Sequence, residues 1–431
     1  MKFNVVNLGC KVNRVESDSV AAGLLALGGV AVEADADIVV VNTCTVTGEA
    51  DKKARKAVRH ALGANPAARV FVSGCAAAID PVEFSQMDSR VCVVSRLELE
   101  ASLREKLGQG SLGDARGGMA ADIAFASDGE VVGGLRIGKG FNTRVNLKIQ
   151  DGCDNACTYC IVHVARGTAR SVPFDSVIAD AVSYARAGAR EIVLTGINIG
   201  SYCDGEKRLP ELLAALLEAT DALPSEGGPV RFRISSIEPQ DVSSQLIDLI
   251  SSSNGRVCRH MHLPLQSGSA RVLSEMERRY TAGEFDSLVT MIREKIPSIS
   301  LSTDIIVGFP GETDYDFEET LAMAQRCRFS KIHVFPYSRR EGTPAADRRD
   351  QVPDEVKRAR AAALRRLSNV LRAEDLALRD GSVEFALVEP TCALTESYYE
   401  VPVPTGANVG DLVPVVMSAS SDALPAGRSI R

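Results

Sequence analysis

Asp151-Gly152-Cys153-Asp154-Asn155-Ala156-Cys157-Thr158-Tyr159-Cys160 puts three thiols within eight residues, close enough to hold one metal centre. Thiolates select zinc, copper(I) or iron-sulfur clusters over hard cations. A four-iron cluster held by only three cysteines keeps one iron free for a small ligand. The run follows directly on a strand candidate at 143–150, so the metal would sit at the carboxyl end of a strand, where parallel barrels carry their functional loops. His163, three residues past Cys160, leaves a second arrangement open: a closed zinc site of three cysteines and one histidine.

Working outward, residues 143–150, 191–195, 230–235, 257–263, 300–307 and 331–336 read as strands, separated by helical patterns such as 174–187, 210–218 and 315–326. Six such units between residues 139 and 350 suit a partial (β/α)6 parallel barrel. Upstream, strands at 2–8, 37–42, 69–73 and 91–94, each followed by a helical pattern, predict an open parallel α/β domain over residues 1–108. The first three end within two residues of Cys10, Cys44 and Cys75. Strand carboxyl ends share one edge of such a sheet, so these scattered thiols should meet there.

Residues 109–138 lose periodicity and fill with Gly, Ala, Ser and Asp, the composition of a linker. Residues 351–380 read as a charged connecting helix with Pro353 and Asp354 at its start. Alternation at 383–388, 398–403 and 412–417, with a turn at 408–411, predicts a small all-β module over 381–431.

A length of 431 residues predicts two to four domains, and 45% hydrophobic residues is the composition of a globular chain. No run approaches the roughly 18 apolar residues of a membrane span, and the opening residues show no signal-peptide pattern, so a cytoplasmic address with no membrane partner is expected. Eleven cysteines argue against a disulfide framework. Cys92, Cys203, Cys258, Cys327 and Cys392 are isolated and read as small core hydrophobes. A net charge of -7 excludes a nonspecific nucleic-acid binder; any RNA contact must come from local patches.

The C-x3-C-x2-C run, with aromatic Tyr159 before its last cysteine, resembles the signature of the radical S-adenosylmethionine enzymes. Asn7-Leu8-Gly9-Cys10-Lys11-Val12-Asn13, Asn42-Thr43-Cys44-Thr45-Val46-Thr47 and Ser73-Gly74-Cys75-Ala76 resemble matching runs of the methylthiotransferases within that class. The resemblance covers almost the whole chain, including a terminal β module of the TRAM type. It implies two 4Fe-4S clusters: Cys153, Cys157 and Cys160 hold the one that chelates S-adenosyl-L-methionine, and Cys10, Cys44 and Cys75 hold the one that carries the sulfur. One S-adenosylmethionine would supply the radical and another the methyl group.

By the same resemblance, Tyr159 and the strand-end residues Thr195, Gly196 and Asn198, then Ser235, Ser236 and Glu238, then Gln266 and Gly308, would line the S-adenosylmethionine site. Arg339 and Arg340 suit a phosphate or a carboxylate, and equally a solvated basic turn. Residues 42–47 and 50–56 most resemble the subgroup that methylthiolates carbon 2 of threonylcarbamoyladenosine beside the tRNA anticodon. Lys52, Lys53, Arg55, Lys56 and Arg59 follow Cys44 on one predicted helix and suit RNA phosphates. The implied partners are a tRNA substrate, an electron-donor protein such as flavodoxin or ferredoxin, and a sulfur source.

Three alternatives accompany this reading: an isopentenyladenosine tRNA, a ribosomal-protein aspartate, and, from another class, a non-catalytic zinc-dependent RNA-binding protein. The aspartate subgroup's first motif has proline between cysteine and lysine, where Cys10-Lys11 here are adjacent. Two departures from the family stand out. His163 and Val164 replace a usual proline and aromatic, and residues 381–431 carry six acids against two arginines, net about -4. Such a module is poor for gripping a polyanion: either it reads RNA by shape and few contacts, or Lys357, Arg358, Arg360, Arg365 and Arg366 on the neighbouring helix supply the phosphate contacts.

Overall fold

The computed structural model of the chain describes residues 1–45, 47–96, 98–106, 144–221, 223 and 229–419. The expected linker, 109–138, and the final residues, 420–431, lie outside the described residues.

In the N-terminal domain β1 (Lys2–Asn7), β2 (Val30–Ala31), β3 (Ile38–Thr43), β4 (Arg69–Gly74) and β5 (Val91–Val93) pair in parallel in the order β2-β1-β3-β4-β5. A central parallel strand is covered on both faces, and β3, Ile-Val-Val-Val-Asn-Thr, is buried at every position. Helices α1 (Lys11–Ala26) and α2 (Gly48–Ala64) lie on opposite faces. Phe3, Ile38, Val40 and Phe71 meet Leu24 of α1, while Val39, Val41, Val70 and Val72 meet Ala54, Val58 and Ala61 of α2. Adjacency of β1, β3 and β4 brings the three strand-end cysteines to one edge, as the open-sheet reading anticipates. Gly74 makes the turn from β4 into α3 (Cys75–Ile79) at φ +95°, where an added Cβ would lie 2.4 Å from the Thr43 carbonyl.

The central strands are β6 (Arg144–Lys148), β7 (Glu191–Thr195), β8 (Arg231–Ile234), β9 (His260–His262), β10 (Ser300–Val307) and β11 (Lys331–Pro336). They form two parallel sheets, β8-β7-β6 and β9-β10-β11, joined by single bridges Phe232–Val257 and Ser236–His262. The expected strand at 257–263 shrinks to His260–His262, because there the chain crosses from one sheet to the other. After the short α4 (Val162–Arg166) come α5 (Phe174–Arg186), α6 (Leu209–Asp221), α7 (Ser244–Ser252), α8 (Ala282–Lys295) and α9 (Asp314–Cys327). Leu212, Leu213 and Leu216 of α6 and Leu246, Ile247 and Ile250 of α7 share one core with Ile192, Leu194, Phe232 and Ile234 of the strands. Thr313 and Asp316 cap α9 reciprocally.

Helix α10 (Asp354–Arg379) begins at Pro353, as predicted, and leads into β12 (Val383–Val388), β13 (Ala393–Thr395), β14 (Glu400–Val401) and β15 (Leu412–Val416). These pair antiparallel in the order β14-β13-β12-β15. Strand β13 escapes a pattern reading because it is buried at all three positions and shows no alternation. The turn at 408–411 forms, but β14 and β15 on either side of it are not sheet neighbours.

Buried ion pairs bolt this sheet to the amino ends of the central strands. Glu191, fully buried, meets Arg231 Nε at 2.7 Å and Arg233 Nε at 2.6 Å. The remaining guanidinium N–H groups donate to the carbonyls of Phe385, Leu394, Thr395 and Glu396. A buried pair persists only with its other hydrogen bonds satisfied, and here they are. Glu384, Glu389 and Glu396 face inward to Arg379 (2.9 Å), Arg144 (2.9 Å) and Arg259 (2.6 Å). Three of the module's six acids are therefore neutralised by arginines outside it, so its count of acids overstates the negative charge it presents to solvent. On α10, Arg360 is likewise buried against Glu312 and Asp314, and Lys357 lies over the Tyr337 ring, leaving Arg358, Arg365 and Arg366 exposed.

Candidate active site

Cys10 precedes α1 as its N-cap, Cys44 follows β3, and Cys75 opens α3. Asn13 locks this edge together: its Nδ2 donates to Asn42 Oδ1 and to the Thr43 carbonyl, both at 2.9 Å, while its Oδ1 accepts from Cys10 Sγ at 3.3 Å. Gly9 is required beside it, since a Cβ there would fall 2.4 Å from the Asn13 side chain. The amino end of the 16-residue α1 presents positive potential toward a thiolate at Cys10.

The central cysteine loop leaves β6 through Gly152, at φ +73°, where a Cβ would lie 1.9 Å from the Thr168 carbonyl. Each sulfur is met by an N–H donor. Asn155 N reaches Cys153 Sγ and Val162 N reaches Cys160 Sγ, each at 3.4 Å, and Arg278 Nη1 reaches Cys157 Sγ at 3.3 Å. Burial pushes the Cys160 thiol up to about 11 and raises that of Cys153. Donors aimed at three sulfurs in a half-buried loop suit ligands that become anionic on binding metal, so the residues fit a cluster held by three cysteines. His163 sits on α4, which packs on α3, and its Nδ1 is buried with no hydrogen-bond partner among the described residues.

Arg166 ties the two cysteine sets together, and nothing in the pattern singled it out. Its side chain is 1% exposed. From the last position of α4, Nε donates to Cys75 Sγ at 3.2 Å, Nη2 to Asn13 Oδ1 at 2.9 Å, and Nη1 to Glu16 at 3.0 Å and Asp151 at 2.8 Å. Burial alone would raise the Asp151 carboxyl; Lys148 and Arg166 reverse that and hold it below the usual carboxylate range. The signal available in sequence was an arginine six residues past the last cysteine, followed by Gly167.

Gln150 couples the next residues to the loop. Its Oε1 accepts from Ile197 N at 3.0 Å and Asn198 N at 2.9 Å, and its Nε2 donates to the Asp151 and Gly152 carbonyls. Thr195, Gly196 and Asn198 are thereby drawn to the cysteine loop. Gly196 has no room for a Cβ, which would meet Ile199 at 2.9 Å. Asn198 itself is used internally, donating to Asp241 and accepting from Gly200 N. Glu238 pairs with Arg278, which also reaches Tyr159 at 3.4 Å, so both residues stand beside Cys157. Burial raises the Glu238 carboxyl despite that arginine. Ser235 Oγ is buried without a partner among the described residues, and Ser236 bridges to His262.

Gln266 and Gly308 are placed differently. Gln266, at φ +64°, exchanges backbone hydrogen bonds with Asp304 and Ile306. The Gly308 N–H is committed to the Glu312 carboxylate, which also accepts from Phe309 N at 3.0 Å, and Lys357 lies across the glycine. Burial pushes Glu312 up to about 7 against the pull of Arg360. A carboxyl whose folded pKa exceeds its unfolded 4.5 loses stability for the native state as pH rises through that window, by up to about 3 kcal/mol. Glu312→Gln should flatten this fall, measured as urea midpoints at pH 5 and pH 7.5; an unchanged slope would show that Arg360 already balances the charge.

Arg340 is neither in a solvated turn nor free for a ligand: it is buried against Asp51 of α2, 2.6 Å away, and Thr45 accepts a second bond. With Gly48 N bonded to Ser338 Oγ at 3.1 Å, this fixes the start of α2 against the loop after β11. Lys52, Lys53, Lys56 and Arg59 are exposed on α2, whereas Arg55 is half-buried and pairs with Glu83 at 3.5 Å.

The Radical SAM superfamily profile matches residues 147–324, and that of the Uncharacterized protein family UPF0004 matches residues 2–95. The Threonylcarbamoyladenosine tRNA methylthiotransferase MtaB of Chlamydia pneumoniae is 37% identical over 394 residues, 90% of this chain and 86% of the relative. The tRNA-2-methylthio-N(6)-dimethylallyladenosine synthase of Carboxydothermus hydrogenoformans is 33% identical over 401 residues, covering 90% and 88%. Among solved structures, the radical S-adenosylmethionine methyltransferase TsrM from Kitasatospora setae superposes with a TM-score of 0.56 at 15% identity, over 97% of this chain and 85% of that one, a likeness of fold. Membership of an enzyme family removes the non-catalytic zinc reading. With both cysteine sets in the matched segments, this chain belongs to the radical S-adenosylmethionine methylthiotransferase family.

Proposed function

We propose that this chain inserts sulfur and a methyl group at carbon 2 of threonylcarbamoyladenosine beside the tRNA anticodon. The observation that supports this reading most is Arg166, which bonds to Cys75 from the helix that follows the Cys153–Cys157–Cys160 loop and so links the two cysteine-bearing segments. The family implies a four-iron cluster with S-adenosylmethionine, and the residues at the central loop fit it. When bound, that pair supplies a radical able to take hydrogen from an unactivated C–H bond. Cys153, Cys157 and Cys160 would hold it, with Tyr159, Glu238 and the 195–198 turn around its open side. Cys10, Cys44 and Cys75 would hold the second cluster. We read the six central strands as a partial (β/α)6 barrel spanning 139–350, the sheet after α10 as a TRAM-like module, and the setting as cytoplasmic. Electrons would come from a flavodoxin or ferredoxin, and sulfur from a separate source.

No helix among the described residues is long and apolar enough to cross a membrane. Mass spectrometry of tRNA nucleosides from cells lacking this protein tests the substrate: the 2-methylthio derivative of threonylcarbamoyladenosine should disappear. Loss of the dimethylallyl counterpart instead would assign the chain to the second reading, which the 33%-identical synthase favours.

Exposed Lys52, Lys53, Lys56 and Arg59 are the expected phosphate contacts. Their joint replacement by alanine should weaken tRNA binding at all sequences. It should also flatten the dependence of log K on log salt by about 0.7 to 0.9 for each phosphate no longer neutralised. A salt slope equal to that of the unchanged chain would remove α2 from the RNA interface.

A further inference from the structure

We propose that Lys11, His262, Asp304 and His333 form a subsite for an anionic, hydroxyl-bearing side chain on the substrate base; it rests on the tRNA reading above. The three strand residues come from β9, β10 and β11, on the sheet face turned away from the helices: His262 is in register with Ser302, and Asp304 with His333. His262 Nε2 lies 3.2 Å from Asp304 Oδ2, its Nδ1 meets Ser302 Oγ at 2.9 Å, and its ring centroid is 5.7 Å from that of His333. Ser302 Oγ also meets His260 Nε2 at 3.0 Å, and the His260 ring stands 4.5 Å from that of Tyr398. Tyr398, held at φ +65° on the β13–β14 turn, accepts a hydrogen bond from Lys11 Nζ at 3.3 Å. A continuous polar floor thus runs from the residue after Cys10 to Asp304, whose charge in turn acts on Glu238 beside Arg278 and Cys157.

Charge selects the occupant. Arg144 is paired with Glu389, and Arg231 and Arg233 share Glu191. Lys11 bonds only to a phenol and, among the described residues, to no carboxylate. Burial, followed by Arg233, lowers His260; burial pushes His333 down to about 4 against the opposing charge of Asp304, with His262, Lys331 and Lys11 adding to burial. His333 is therefore neutral near pH 7 and free to donate or accept, while Asp304 stays ionised. Donor atoms of His262, Asp304 and His333 lie within 4.8 Å of one another, so a substrate side chain entering here meets all three together. A threonylcarbamoyl group offers a carboxylate to Lys11 and a hydroxyl and N–H to Asp304 and His333, with His262 holding Asp304 in place. A dimethylallyl group would offer Lys11 no carboxylate and Asp304 and His333 no hydrogen-bonding partner, the kind of mismatch that discriminates strongly.

The test compares anticodon stem-loops carrying threonylcarbamoyladenosine or dimethylallyladenosine on the anaerobically reconstituted full chain, with iron content as the loading control. Product formation and Kd by fluorescence anisotropy are read for the wild type, Lys11→Met, Lys11→Arg and His333→Phe. The wild type should methylthiolate the threonylcarbamoyl stem-loop. Lys11→Met should raise its KM and Kd about 10- to 100-fold, the effect of one charge-assisted hydrogen bond. Lys11→Arg should restore both, and His333→Phe should shift preference toward the dimethylallyl stem-loop. If the wild type makes the threonylcarbamoyl product and the variants change neither substrate or both alike, the subsite is wrong and the tRNA reading stands. If the wild type acts on the dimethylallyl stem-loop alone, both fall.

Discussion

Anaerobic reconstitution of the wild-type chain is expected to yield about eight irons and as many acid-labile sulfides. The triple variant Cys153→Ala/Cys157→Ala/Cys160→Ala should yield about four of each, with no S-adenosylmethionine cleavage. The two sites lie on different domains with separate backbone supports: Asn13, Asn42 and Thr43 on the N-terminal sheet edge, Gly152, Gln150 and Arg278 around the central loop. Emptying one should therefore leave the other folded. Replacing Cys10, Cys44 and Cys75 should give the complementary result, about four irons with S-adenosylmethionine cleavage retained and methylthiolation abolished. Stoichiometric zinc without sulfide in the wild type would overturn the two-cluster reading, and His163 would then become the fourth ligand to test.

Arg166→Met should destabilise the chain by about 3 kcal/mol and abolish methylthiolation. The side chain is buried, so removing it strands Glu16 and Asp151, 19% and 14% exposed, and two neutral acceptors, Asn13 Oδ1 and Cys75 Sγ. Breaking a buried pair costs about 3–5 kcal/mol; the lower end applies because Lys148 still reaches both carboxylates, at 3.0 and 2.8 Å. Arg166→Lys should recover only part, since an ammonium cannot serve four acceptors in the plane that a guanidinium spans. The check is the urea midpoint of each variant with the reduction potential of the cluster beside Cys75. Arg166→Met with unaltered midpoint and potential would mean that the bridge is incidental.

Much of this was legible in the sequence because the signals were local. β-Branched runs gave β1, β3, β4, β7, β10 and β11 within about a residue, and a parallel sheet's shared carboxyl edge brought Cys10, Cys44 and Cys75 together before any coordinate. What escaped was long-range pairing. Gln150 joins segments 47 residues apart and Arg166 segments 91 apart, and neither partner leaves a mark on its neighbours in the chain. Gly308 was legible as a strand-end glycine, but its engagement by Glu312 depends on burial beneath α10. The central histidines were scattered among strands whose common face appears only once the register is known.

The inward turn of Glu384, Glu389 and Glu396 has a practical consequence for dissection. A fragment beginning at Gly381 would lose Arg379, Arg144 and Arg259 together and present all three carboxylates to solvent. Such a fragment would be more acidic at its surface than the same sheet in the intact enzyme and short of the ion pairs that hold its strands. Its failure to retain RNA on a column would report the cut, not the domain.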